Sequence, residues 1–167
     1  GRVDGPSRGA TWGDNGVIIA ASGAPATGLL KIPAAGGELE VLTRPNREQG
    51  EADHLWPQFL PGGQAILFTV TALTGGVDAS SVAVLDLATR RWKIVVRGGS
   101  QAHYVPSGHV VYVAGGALWA IGFDTARQAT TGSAAVVLPQ VVTLPTGVAE
   151  FDIGRDGTLV YVARGGT

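Results

Sequence analysis

The chain has 167 residues, 45% hydrophobic and 15% charged, with a net charge of −1. That length supports one domain with a core, and so little charge excludes a disordered chain. There is no cysteine and no Lys/Arg run. Disulfides, zinc fingers and thiol nucleophiles are thereby excluded, and nucleic acid and anionic membrane surfaces are poor partners.

The predicted elements are short and alternate with turns. Four tight-turn signals recur: Gly13-Asp14-Asn15-Gly16, Leu60-Pro61-Gly62-Gly63, Val105-Pro106-Ser107-Gly108 and Gly154-Arg155-Asp156-Gly157. Each precedes a β-rich run: Val17 to Ala21, Ala65 to Val70, Val110 to Val113 and Leu159 to Val162. This is a repeated hairpin signature. A third strand is expected at Leu29 to Ile32, Val82 to Leu87 and Ala117 to Phe123. A fourth follows at Leu39 to Leu42, Trp92 to Val96 and Ala134 to Leu138.

Four strands in about 45 residues make one propeller blade. The expected fold is all-β: a partial β-propeller of three four-stranded antiparallel blades plus the two inner strands of a fourth. The blades fall at about 9–43, 55–97, 101–139 and, for the half blade, 149–163, within one domain spanning 1–167. Aligned on the turn glycines, the first strands place Trp12, Phe59, Tyr104 and Ile153 in one apolar column. The residues just before them, Thr11, Gln58, His103 and Asp152, form a polar column. That alternation marks a strand with one face in a core. No apolar stretch approaches the roughly 20 residues that span a bilayer. The chain opens at Gly1 and holds no methionine, which reads as a processed product or an excised piece.

The segment Trp56-Pro57-Gln58-Phe59-Leu60-Pro61-Gly62-Gly63, followed by Ala65-Ile66-Leu67-Phe68, resembles the WD40-like, TolB-type propeller repeat. So does Phe151-Asp152-Ile153 with Asp156-Gly157-Thr158-Leu159-Val160-Tyr161. The stretch from Glu51 to Gly63 is similar to propeller regions attached to bacterial membrane serine/threonine kinases. The resemblance implies a scaffold, sensor or binding platform, in an extracytoplasmic setting in a bacterium. It does not imply kinase activity, because no kinase motif is present. The residues themselves leave the compartment open.

Closed propellers carry about four to eight blades. This count falls short, so two copies are expected to close one ring of seven or eight blades about a two-fold axis. The segment from Gly1 to Arg8 would then supply an outer strand at the seam. The alternative is that the piece belongs to a longer chain that closes alone.

Polar residues of the first strands are expected to converge on the channel. His54 and His103, with Asp53, are the candidate ligands for a divalent metal such as zinc, manganese or calcium. Asp152 and Glu150 are the candidate general bases of a metal-dependent esterase, lactonase or phosphotriesterase. Trp56, Gln58 and Gln101 are candidate contacts to a small-molecule ligand. The structural alternatives are that His103 hydrogen-bonds between blades, that His54 caps the loop from Arg44 to His54, and that Trp56 covers blade two. No Gly-x-Ser-x-Gly elbow is present, so a serine triad reads weakly. The leading expectation is a binding module that assembles into a ring; the alternative is the metal-dependent hydrolase.

Overall fold

The computed structural model describes residues 3–24 and 26–163. The first sheet joins β1 (Ser7–Trp12), β2 (Val17–Ser22), β3 (Leu29–Pro33) and β4 (Glu40–Val41). The second joins β5 (Glu51–Phe59), β6 (Ala65–Ala72), β7 (Ser81–Asp86) and β8 (Trp92–Arg97). The third joins β9 (Ser100–Val105), β10 (His109–Ala114), β11 (Ala117–Asp124) and β12 (Ala129–Leu138). A two-stranded sheet, β13 (Phe151–Ile153) with β14 (Leu159–Tyr161), follows. Every sheet is an antiparallel meander whose spatial order is its chain order. This is a partial β-propeller, three full blades and half a fourth.

The turn glycines explain the hairpins. Gly16, Gly63, Gly108 and Gly157 all take φ between 68° and 87°, where a Cβ is disfavoured. Backbone bonds close the turns, from Gly13 N–H to the Val17 carbonyl at 2.8 Å and from Leu60 N–H to the Ala65 carbonyl at 2.9 Å. Asn15 Oδ1 and Asp156 Oδ1 also accept the N–H groups of Val17 and Thr158.

The second strand of blades two and three has no solvent face. In β6, Ile66, Phe68 and Val70 pack toward blade one, against Ile19, Ala21 and Leu29. The alternate residues Ala65 and Leu67 pack toward blade three, against Ala102, Val110 and Tyr112. In β10 the same division sends Val111 and Val113 toward Val141, Ala149 and the half blade. Three cores therefore lie between successive blades, and the second strands of blades two and three alternate between two of them.

Two boundaries differ from expectation. β5 begins at Glu51, so Asp53 and His54 are strand residues and not the end of a loop. Ser7 and Arg8 open β1, the first strand of blade one, so they do not form an outer strand at a seam. Gly1 and Arg2 lie outside the described residues. Among the described residues, no helix is long and apolar enough to cross a membrane.

Phe68 is fully buried and meets Trp92 edge-on at 5.8 Å between ring centroids. Replacing it with alanine would leave a cavity between two sheets. Phe68→Ala is expected to lower stability by about 3–5 kcal/mol, read as a fall in the urea midpoint with an unchanged slope.

Candidate functional site

The first strands of the three full blades share a bulge. β1, β5 and β9 each slip in register here, so that two residues face one on the neighbouring strand, and β5 slips a second time between Glu51 and Asp53. The same aligned residue takes a left-handed backbone each time: Gly9 (φ 101°), Trp56 (φ 50°) and Gln101 (φ 46°). Such a bulge bends a strand and turns a side chain out of the regular alternation. Gly9 is also required by space. A Cβ there would lie 3.0 Å from the Trp56 Cα and 3.3 Å from its Cδ1.

The polar column beside the bulges forms a repeated clasp. Thr11 Oγ1 of blade one accepts the Phe59 N–H of blade two at 3.3 Å. Gln58 Oε1 of blade two accepts the Tyr104 N–H of blade three at 2.5 Å. The third clasp is broken. His103 Nδ1 is buried without a hydrogen-bond partner, and the Ile153 N–H turns instead to its neighbour Asp152 Oδ1 at 2.8 Å. His103 meets Phe151 edge-on at 5.3 Å. Burial holds its imidazole below the ordinary value, while the Asp152 charge works the other way.

Gln101 joins blade three to the half blade. Its Oε1 accepts the Ala149 N–H at 2.7 Å, and its Nε2 donates to the Ala149 carbonyl at 3.3 Å. Its own N–H donates to Thr69 Oγ1 at 3.0 Å. With both ends of its side chain engaged, Gln101 lines the channel as structure.

These residues share one cleft. Gly9, Thr11, Trp56, Gln58, Gln101, His103 and Asp152 line a space of about 250 Å³ that touches all four blades. A mouth of about 580 Å³ adjoins it at the hairpin end, where Arg155 reaches Asp14 Oδ1 at 3.5 Å and the Trp12 carbonyl at 3.4 Å. Trp56 also borders a third space of about 300 Å³, which includes Arg8, Asp53 and Ser80. Of the residues singled out from sequence, Trp56, Gln58, Gln101, His103 and Asp152 are brought together. Asp53 belongs to the separate space, and Glu150 lines neither. Burial raises the Asp53 carboxyl, opposed by the His54 N–H and by the charges of Arg47 and Arg8.

His54 lies elsewhere. It is fully buried between blades one and two, edge-on to Phe68 at 5.0 Å and to Trp92 at 5.3 Å. Its Nδ1 is 2.7 Å from Thr43 Oγ1, and its Nε2 is 3.2 Å from Glu51 Oε2. Because Glu51 only accepts, Nε2 carries the proton and the Thr43 hydroxyl donates to Nδ1. Glu51 Oε2 also accepts the Asn46 N–H at 2.6 Å, and Thr43 Oγ1 accepts the Leu29 N–H at 2.9 Å. Gly28 makes room for this row. A Cβ there would lie 2.5 Å from Thr43 Oγ1 and 2.7 Å from His54 Nδ1. Hydroxyl, imidazole and carboxylate stand in the order of a nucleophilic triad, but no solvent reaches the imidazole.

The metal expectation does not fit this arrangement. Both His54 nitrogens are taken, and burial denies an ion any path to them. Asp53 and His103 border different spaces. Among the described residues, no group of three His, Asp or Glu side chains is placed to hold an ion.

No family model matches the sequence, and no curated protein matches it. Solved structures do share the fold. TolB from Acinetobacter baumannii is 21% identical with a TM-score of 0.65, covering 96% of this chain and 38% of its own. Regucalcin from Agrobacterium tumefaciens, described as a calcium-binding protein, is 14% identical with a TM-score of 0.61, covering 90% and 50%. An oligogalacturonate lyase in complex with manganese is 11% identical with a TM-score of 0.58, covering 89% and 42%. The chain shares the β-propeller fold with these proteins. It spans half or less of the length of each of these three proteins.

Burial lowers the His54 imidazole, with the Glu51 hydrogen bond and charge opposing. The ring is therefore neutral, and its contact with Glu51 is a hydrogen bond and not an ion pair. A depressed folded-state value means that the unfolded chain binds protons first as pH falls. The stability from neutral His54 is fully present above the ordinary value of 6.5 and is lost as pH drops through the folded value. The urea midpoint is expected to fall steadily as pH drops below 6.5. In His54→Gln it should start lower and fall less.

Proposed function

We propose that this chain is a non-enzymatic propeller segment that completes its ring with a second copy and holds a small ligand in the inner-strand cleft. One observation supports ring completion above the rest. Val160 of the half blade occupies the aligned position of Ile19 and Val111. Those two are 0% and 7% exposed, whereas Val160 is 67% exposed. Val162 follows at 50%. The same sequence position is apolar in each case, and only the half blade has no neighbour on that side. Among the described residues, β14 also pairs on one edge alone, with β13. An apolar face beside an open strand edge fits a further blade.

The cleft supports the ligand reading. It is concave, touches all four blades and mixes an indole with a few polar groups, as small-molecule sites do. Among the described residues, the ligands that a metal-dependent hydrolase needs are not brought together, which leaves Asp152 and Glu150 without a metal to work beside. The protein described as calcium-binding and the lyase with manganese share the fold with this chain, and that likeness carries no chemistry across.

Sedimentation equilibrium is expected to return a mass of twice 17.0 kDa. Val160→Asp should shift the population to the single chain while leaving its thermal unfolding little changed. A wild-type mass of one chain at all concentrations would refute closure by a second copy.

A further inference from the structure

The unused hydrogen-bonding capacity of the cleft is one-sided. Gln58 Oε1 and both ends of the Gln101 side chain are committed to backbone groups of the next blade. Thr11 Oγ1 is committed to the Phe59 N–H. His103 is neutral at pH 7, because burial lowers its imidazole from 6.5. Among the residues lining this space, Asp152 is the one that carries charge. It is exposed, and it spends Oδ1 on the Ile153 N–H.

The cations that line the other two spaces are engaged elsewhere. Arg155 reaches from the adjoining mouth to Asp14 and the Trp12 carbonyl. Arg8 borders the other space, where its charge favours the Asp53 carboxylate. Nothing lining the cleft therefore neutralises Asp152. Trp56 stands in the same wall, half-buried, with its backbone held left-handed against Gly9. An indole and a carboxylate around one small space are the two elements that recognise an organic cation, by ring quadrupole and by charge.

We propose that the inner-strand cleft selects a small organic monocation with an apolar flank, an alkylammonium or guanidinium group held between Trp56 and Asp152. This rests on the ligand reading above and names its chemical class. Anions are disfavoured by the same carboxylate. Closing the ring would strengthen the selection, since excluding water raises the effect of a fixed charge.

The test uses three probes of nearly one shape: benzylammonium, benzyl alcohol and benzoate, each titrated calorimetrically into the intact chain. Benzylammonium is expected to bind about tenfold more tightly than benzyl alcohol, with benzoate weakest. Asp152→Asn keeps the acceptor for the Ile153 N–H and should erase the difference between benzylammonium and benzyl alcohol. Asp152→Glu should preserve it. Trp56→Leu should weaken both probes. If Asp152→Asn does not fold, rising ionic strength serves in its place, weakening benzylammonium and sparing benzyl alcohol. Benzoate binding as tightly as benzylammonium, or a preference that survives Asp152→Asn, would overturn the proposal. Equal binding of all three probes, lost in Trp56→Leu, would overturn the charge selection and leave the ligand reading standing. No binding by any probe at millimolar concentration would overturn both.

Discussion

The burial of both faces of the second strand in blades two and three governs this structure. A strand with Ile66, Leu67 and Phe68 all at zero exposure is satisfied only by a sheet on either side. No blade of this kind can be stable by itself. Stability accrues between neighbours, as in other repeat architectures where each unit contacts only the next. The three inter-blade cores are consequently in series. The last, around Val111, Val113, Leu118 and Val141, is covered by the shortest sheet.

Hydrogen bonds then fix how neighbouring blades meet. The apolar cores are non-directional and would tolerate small slips. The bonds from Thr11 to Phe59, from Gln58 to Tyr104 and from Gln101 to Ala149 set the register of one blade against the next. The row from Asn46 through Glu51 and His54 to Thr43 does this deeper down, between blades one and two. Each buried polar group there has a partner, which is the condition for such a row to be tolerated inside apolar surroundings. Elsewhere among the described residues, two buried side-chain polar atoms go unpaired, Ser80 Oγ and His103 Nδ1. The unpaired Nδ1 of His103 stands where the repeated clasp would have continued.

The hairpin glycines and the apolar columns made the blades legible from sequence, because a left-handed turn and period-two alternation leave direct marks on residue choice. The start of β5 left no such mark. Glu51, Asp53 and His54 read as a polar loop, since nothing in their identity reveals partners as distant as Thr43 and Thr71. The polar column was visible as an alignment, but its role was not. Periodicity tells which side of a strand a residue faces, not whether its side chain reaches the axis or a neighbouring blade. The bulges were hidden for a different reason. Only Gly9 advertises a left-handed backbone, whereas Trp56 and Gln101 adopt it at a cost of about 1–2 kcal/mol each.

That cost marks three places where the chain steps outside its own alternation. A side chain at a bulge belongs to neither inter-blade core. Glycine, tryptophan and glutamine fill the same backbone socket in successive blades without disturbing the apolar columns on either side. Space holds the first socket to glycine and the bonds to Ala149 hold the third to glutamine, so the wall of the channel can be respecified at Trp56, by exchanging a single residue, while the packing that holds the blades together stays as it is.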